Sequence, residues 1–447
     1  MIITAWLINL MKESQEVLAR RVVITGMGVI TAVGIGTEPN WLSVVKGESG
    51  ISYLSSFDAS SLPTQIAAEV NNFKAEAYIE DKKIINRLCK GDDYALVTAK
   101  MAIDDAGLMH ENTDFTKGGI YMGCGKEIGT PQYLFPAVAA SMNGDGLIDR
   151  RRFGEEAMKQ TYPLFLIKDL PNAILFYIAR TYQLQGININ VVVGGTASSQ
   201  AIGNAFRAIQ CGDSDFIIAG GFDSRVDPIN MSFLCNLGLL SSRNNEPKEA
   251  CAPFDVTRDG FVIGEGAGMV ILEELSHALA RRAKIYAELV GYAATSDPTE
   301  VMRQEHIGSS LAIAITKALR DANITPQQID YINANGDGTS LGDRSETLSI
   351  KTALTKAAYQ IPISSIKPVI GHLMAASGAV ELIFTVMAIE DSKVPPTINY
   401  KYPDPSCDLD YVPNRARKVQ IKTALSINKC GISGRSTAII INRFSND

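Results

Sequence analysis

The chain has 447 residues, of which 46% are hydrophobic and 20% are charged, and its formal net charge is −6. This length and composition indicate a globular protein with two domains or one large duplicated fold, and they exclude a disordered chain. The acidic balance argues against nucleic-acid binding. An acidic partner could still bind the basic run Arg150, Arg151 and Arg152, although such runs are more often simply solvated.

Cysteine and histidine usage bears on redox compartment and metal binding. The seven cysteines are scattered and form no CxxC pair, and the chain has only four histidines. This pattern is typical of a reduced, cytoplasmic protein without a metal site. The apolar start "MIITAWLINLM" lacks a basic n-region and a small-residue cleavage site. We therefore predict an N-terminal extension over residues 1–20 and expect no membrane partner.

Two similar orders of elements follow along the chain. A buried strand predicted in "RRVVITGMGVITAVG" (21–35) has a counterpart in "IYAELVGYAAT" (285–295). The strand "GGIYMGCG" corresponds to "IDYINANG", and "INVVVGGTASSQAIG" to "ISSIKPVIGHLMAASG"; "DFIIAGG" is paired with "STAIIIN". We predict two βαβ-rich halves, residues 21–275 and 276–447, that pack as two sheets with small-residue helices between them. Chance likeness between α/β halves is the alternative.

Four glycine-punctuated motifs carry a family resemblance. They are "RRVVITGMGVITAVG", "CAPFDVTRDGFVIGEGAGMVILEE", "NANGDGTSLGD" and "SIKPVIGHLMAASGAVE". In this order they resemble the β-ketoacyl-acyl carrier protein synthases of the thiolase superfamily, over about residues 21 to 445. The resemblance implies an α/β, thiolase-like fold in which duplicated halves form a five-layered α-β-α-β-α core.

The resemblance also identifies the reacting groups and shows which are missing. In active members a cysteine thiolate at a strand-to-helix turn takes the acyl chain, and two histidines stabilise the enolate formed from the malonyl thioester. Here Gly195 takes the cysteine's place and Asn335 the first histidine's, while His372 and Lys367 remain. An amide can donate a hydrogen bond but cannot carry a proton at neutral pH. Glycine at 195 is expected to relax a turn that a nucleophile would strain.

The role of Lys367 has two interpretations. On the resemblance it is a site residue; otherwise it is a charge paired with Glu346 or Glu381. Substitute nucleophiles are also open, since Ser198 and Ser199 lie on the first turn of the following helix. A serine needs an adjacent base, however, and His372 is the remaining candidate.

Further departures fall at the acyl gate and at the carrier arm. On the resemblance, Cys430 occupies the position of the phenylalanine that gates the acyl pocket, and Ile432 occupies that of the second aromatic residue. A buried thiol such as that of Cys430 usually serves only as inert packing. Asp337 replaces a threonine that helps hold the phosphopantetheine arm, whereas Thr339 is kept. A carboxylate at Asp337 would lose the donor and repel a phosphate. Together these losses predict a chain without condensing activity.

A preserved fold with a degenerate site resembles the chain length factor, or ketosynthase β-subunit, of type II polyketide synthases. Many such subunits carry glutamine at the cysteine position, so Gly195 departs from this subgroup. The resemblance implies a heterodimer with a catalytic ketosynthase and an acyl carrier protein as further partner. No cofactor is expected to bind this chain; phosphopantetheine would act only through the partner subunit.

The same resemblance places the end of the growing-chain tunnel at the dimer boundary. We predict that Gln132, Tyr133, Phe135 and Pro136 shape it, because bulky side chains there limit its depth. The alternative is that Tyr133 and Phe135 are ordinary core aromatics. Two other functions stay open: a malonyl-carrier decarboxylase using His372 and Asn335, and a homodimeric scaffold that binds carrier protein or an acyl chain.

Overall fold

The computed structural model describes residues 20–109, 113–126, 134–161, 163–298 and 309–445. Its strands are β1 Val22–Thr31, β2 Gly34–Ile35, β3 Ser52–Tyr53, β4 Ile66–Ala67, β5 Gly118–Cys124, β6 Asn188–Val191, β7 Phe216–Asp223, β8 Gly266–Glu274, β9 Ala287–Ser296, β10 Tyr331–Asn333, β11 Ile363–Ser364, β12 Lys393–Val394, β13 Arg417–Lys418, β14 Thr423–Cys430 and β15 Arg435–Arg443. Its α-helices are α1 Thr37–Lys46, α2 Lys82–Ile85, α3 Lys90–Asp105, α4 Phe135–Ala140, α5 Arg150–Gln160, α6 Phe165–Asp169, α7 Ala173–Tyr182, α8 Ala197–Gln210, α9 Pro228–Asn236, α10 Leu275–Ala280, α11 Ser309–Asp321, α12 Ser340–Leu354, α13 Lys367–Ile370 and α14 Ser377–Asp391.

The sheet topology shows the duplication directly. The first half has the strand order β6-β5-β7-β8-β1 and the second has β11-β10-β14-β15-β9. In each half the first three strands are parallel and the other pairings are antiparallel. The halves are not separate sheets, because β1 and β9 pair antiparallel from Val22 with Leu289 to Ile24 with Ala287. These hydrogen bonds join both halves into one continuous sheet.

One strand correspondence drawn from the sequence is wrong. The segment "DFIIAGG" forms most of β7, which is parallel to β5, and its equivalent in the second half is β14, which is parallel to β10. The segment "STAIIIN" lies in β15, an antiparallel strand equivalent to β8. Strands β7, β8, β14 and β15 are all largely buried, and hydrophobic pattern alone does not encode strand direction.

The layer order follows from the buried clusters. Helices α8 and α14 lie together in the centre, where Phe206 and Phe384 belong to one core with residues from both halves of the sheet. Helix α3 covers the outer face of the first half, and α11 and α12 cover the outer face of the second. This arrangement confirms the thiolase-like α-β-α-β-α fold.

Close packing of β5 on α8 positions the candidate site. A Cβ atom placed on Gly123 would lie 2.3 Å from the backbone carbon of Ala197 and from the backbone nitrogen of Ser198. Only glycine fits such an approach. The first turn of α8 is therefore held directly against the end of β5.

Candidate functional site

The turn before α8 contains the position of the missing nucleophile. After β6 the chain passes through a short 3-10 turn, Gly194–Thr196, and enters α8 at Ala197. Gly194 has φ 73°, in the left-handed region that favours glycine. The expectation that glycine relaxes the turn at Gly195 is therefore corrected, because the backbone requires glycine at Gly194 instead.

Gly195 faces two of the predicted site residues. A Cβ atom on Gly195 would lie 3.5 Å from the Cβ of Cys430, 3.6 Å from its Sγ and 3.7 Å from Cε1 of His372. These are ordinary van der Waals distances. The structure thus brings Gly195, Cys430 and His372 together, and a Cβ atom fits at position 195.

The hydrogen bonds of His372 define its protonation state. Its Nδ1 accepts the backbone N–H of Met374 at 3.0 Å and lies 3.2 Å from Oγ of Ser377. Burial lowers the pKa of His372 well below its usual value, and the Lys367 ammonium adds to this effect. The ring is therefore neutral with its proton assigned to Nε2, so it can donate a hydrogen bond to a carbonyl or enolate oxygen.

Asn335 is held by neighbours at both ends of its amide. Its Oδ1 accepts from Nζ of Lys367 and from the backbone N–H of Lys429, both at 3.3 Å. Its Nδ2 donates to Oδ2 of Asp337 at 3.4 Å. The residue that replaces the first histidine is thus part of a buried internal network.

Lys367 forms its ion pair with Glu381 and not with Glu346, the other partner predicted from the sequence. Its Nζ lies 2.6 Å from Oε1 of Glu381 and 2.5 Å from the backbone oxygen of Asn335, and both charged side chains are about 1% exposed. Burial raises the pKa of Glu381, and the Lys367 ammonium partly opposes that rise. Glu346 instead accepts the backbone N–H groups of Asn335 at 2.6 Å and Gly336 at 2.7 Å.

Glu346 is expected to make stability depend on pH. Burial raises its pKa from 4.5 to about 7. Between those pH values the folded protein holds a proton that the unfolded chain has lost, so the free energy of unfolding falls as pH rises through this window. Glu346→Gln should flatten the slope in urea titrations at several pH values, whereas the exposed Glu155→Gln should not. An unchanged slope in Glu346→Gln would contradict the assignment.

Asp337 and Thr339, the residues predicted to lie at the carrier arm, are hydrogen-bonded to each other. Asp337 Oδ1 accepts the backbone N–H of Thr339 at 2.8 Å and its hydroxyl at 2.7 Å. The same hydroxyl accepts the N–H of Gly342 and caps α12. The hydroxyl proton of Thr339 is therefore directed at Asp337 rather than at a ligand.

Lys429 is a charged residue near this region that sequence reasoning missed. Its buried Nζ donates to Oγ of Ser345 at 2.8 Å. Burial lowers the pKa of Lys429, and Asp337 is the first of several carboxylates that oppose this effect. The signal in the sequence was a lysine inside the otherwise buried strand β14.

The candidate substitute nucleophiles serve structural roles. Ser198 Oγ accepts the N–H of Ala379 at 3.0 Å and so ties α8 to α14. Ser199 Oγ donates to the backbone oxygen of Thr196 at 3.0 Å and lies 2.8 Å from Oγ1 of Thr437. None of these hydrogen-bond partners is a base that could activate either hydroxyl group.

The structure describes only some of the residues predicted to line the tunnel. Gln132 and Tyr133 lie outside the described residues. Phe135 is 52% exposed at the start of α4, so its interpretation as a core aromatic is wrong, and Pro136 is also exposed. Ile432 is half-buried and packs against a cluster that includes Phe261. A contribution of these side chains to a tunnel stays a prediction.

The described residues offer neither a cluster of metal ligands nor a membrane-spanning helix. No group of three or more histidine, cysteine or acidic residues in this part of the chain could hold a metal ion. No helix there is both long and apolar enough to cross a membrane.

Sequence comparisons report similarity along most of the chain. Residues 19–278 match the family described as "Beta-ketoacyl synthase, N-terminal domain", and residues 286–401 match "Beta-ketoacyl synthase, C-terminal domain". A "3-oxoacyl-[acyl-carrier-protein] synthase 2" of Coxiella burnetii is 37% identical over 424 residues, which cover 95% of this chain and 99% of that protein. The protein of the same name from Synechocystis is 37% identical over 425 residues, covering 95% and 98%.

Solved structures agree with the sequence comparisons. One solved structure is a complex of a type II polyketide synthase acyl-carrier protein with its ketosynthase, bound to a hexaketide. One chain of it superposes on this chain with a TM-score of 0.84 and 32% sequence identity, and the match covers 96% of this chain and 100% of that one. A chain of "the ishigamide ketosynthase/chain length factor" also has a TM-score of 0.84, with 28% identity and the same coverage.

Proposed function

We propose, from the premise that this chain belongs to the β-ketoacyl synthase family, that it is the non-catalytic subunit of a condensing pair. It would pair with an active ketosynthase and help set the length of a poly-β-ketone built on an acyl carrier protein. The observation that carries the proposal is Gly195, because the turn that faces His372 and Cys430 could accept a Cβ atom but presents no nucleophile. The network around Asn335 supports it, since an amide replaces a proton-carrying histidine.

The free edge of β6 supports pairing with a second subunit. Among the described residues β6 pairs with β5 alone, so its other edge is open. Ile189 in β6 and Val192 directly after it are 41% and 48% exposed. Open edges with apolar side chains are surfaces that another strand can cover, and a two-fold pairing here would extend the sheet between subunits.

The names of the relatives do not assign this chain to a subgroup of the family, so the subgroup is part of the proposal. The relatives named above are 3-oxoacyl-[acyl-carrier-protein] synthases, whereas one structural neighbour is a ketosynthase/chain length factor. Loss of the nucleophile distinguishes this chain from a condensing enzyme on chemical grounds. The length-setting role therefore depends on the site, and the relatives' names do not decide it.

Co-expression tests this function. We expect the full chain to co-purify in a 1:1 complex with a ketosynthase that has an intact cysteine and both histidines, and malonyl-carrier condensation to require both chains. Val192→Asp should weaken co-purification, because it places a charge directly beside the open edge of β6. Val256→Asp, at a 54% exposed site elsewhere, is the matched control. Condensation by this chain alone, or equal binding by Val192→Asp, would refute the proposal.

A malonyl-carrier decarboxylase is the second candidate, favoured by His372. Its neutral imidazole can donate Nε2–H to the oxygen of an enolate formed when carbon dioxide leaves. If this function is correct, the chain alone releases carbon dioxide from malonyl carrier protein and His372→Ala abolishes the release. No release by the folded wild-type chain would exclude it.

A further inference from the structure

A cavity lies near the turn without sharing the predicted site residues. Its volume is about 680 Å³. The side chains that shape its chemistry are Val193, Gln200, Thr295, Ser296, Lys317 and Arg435. Gly195, His372 and Cys430 are absent from its lining. It is therefore distinct from the cluster around Gly195.

Among the described residues, the lining of this cavity carries two positive charges and no negative charge. Its lining contains Lys317 and Arg435 but no aspartate or glutamate. Neither cation forms an ion pair within 4.0 Å in the portion of the chain that the structure describes. Two like charges facing one cavity repel each other, and a bound anion would remove that repulsion.

We propose that this cavity binds a small organic anion, a phosphate or carboxylate group on a compact body. The planar Arg435 guanidinium can hold an oxyanion through two parallel hydrogen bonds, and Lys317 adds a mobile point charge. The volume lies in the range of small-molecule sites, roughly 300–1,000 Å³. Apolar contacts from Val193 and Ile313 would cover the body of the ligand.

The cavity contacts both segments that lead into the degenerate site. Val193 directly precedes Gly194, and its backbone oxygen accepts from Oγ of Ser433 at 3.4 Å. Arg435 begins β15 and pairs in register with Cys430 of β14. A ligand bound to Arg435 would therefore contact the residue that pairs with Cys430 across β14 and β15. The inference does not depend on the proposed function.

Direct binding of a simple probe tests the site. We expect isothermal titration of the full chain with inorganic pyrophosphate or with citrate to show saturable 1:1 binding. Arg435→Gln and Lys317→Gln should each weaken it by roughly tenfold or more, and Arg435→Lys should weaken it less than Arg435→Gln. The matched control is Arg320→Gln, because Arg320 is exposed one turn further along α11 and is outside the cavity lining.

The outcomes separate specific binding from general attraction. Tighter binding of pyrophosphate indicates a phosphate ligand, and tighter binding of citrate indicates a carboxylate ligand; either supports the site. Circular dichroism establishes that each variant is folded. The proposal is overturned if neither probe binds saturably, if Arg435→Gln and Lys317→Gln bind as the wild type does, or if Arg320→Gln loses as much affinity as they do.

Discussion

Lys367→Met is expected to lower the free energy of unfolding by about 3–5 kcal/mol, because it leaves a buried carboxylate without its cation. Glu381 would lose its 2.6 Å ion pair, and the backbone oxygen of Asn335 would lose a donor. Methionine has a similar length but offers no hydrogen bond. Urea unfolding followed by circular dichroism measures the change.

The pH dependence of that variant separates charge from packing. Without Lys367 the folded-state pKa of Glu381 rises further. A protonated carboxyl group avoids part of the free-energy cost of burying an unpaired negative charge. The deficit should therefore be smaller near pH 5 and grow towards pH 8. A deficit that does not change with pH would indicate lost packing instead.

Two variants serve as controls for the Lys367 prediction. The double variant Lys367→Met, Glu381→Gln should recover part of the loss, because it removes the unpaired charge. Lys100→Met breaks an exposed ion pair with Asp104 and should change stability by less than about 1 kcal/mol. If Lys367→Met were as mild as Lys100→Met, the buried pair would not have the importance that its geometry indicates.

Gly195→Cys is expected to form a disulfide with Cys430 in the folded protein under oxidising conditions. The Cβ position at Gly195 lies 3.5 Å from Cβ of Cys430, at the short end of the range for disulfides, about 3.5–4.5 Å. Gly195 is not among the residues with positive φ, so a side chain is compatible with its backbone. Non-reducing peptide mapping should show the cross-link and a loss of two free thiols.

The matched control is Gly195→Cys with Cys430→Ser, which should show no cross-link under the same conditions. If the single variant folds and its new thiol stays free, the proximity of Gly195 and Cys430 is wrong. We also expect no condensation from reduced Gly195→Cys alone, since Asn335 still replaces the first histidine. Restored condensation would contradict the proposed non-catalytic role.

The fold could be predicted because its signals are local and repeated. Glycine-punctuated strands and small-residue helices recur in both halves, and the sequence itself shows glycine at Gly195 and an amide at Asn335. That these residues remove condensing activity stays a prediction. The error concerned strand direction. Strands β7 and β15 have similar apolar patterns, but β7 is parallel to its partner β5, whereas β15 is antiparallel to its partner β14. Direction depends on hydrogen-bond partners that lie far away in the sequence.

The sequence by itself determined the family, the duplicated architecture and the absence of a thiol at residue 195, because these depend on residue types in local motifs. Only the tertiary structure decided that Lys367 pairs with Glu381, that Asp337 captures the Thr339 hydroxyl, and that the glycine-requiring backbone is at Gly194. It also brought Cys430 beside Gly195, across 235 residues of chain. Such contacts follow from how β14, α8 and α14 pack, which hydrophobic periodicity does not specify.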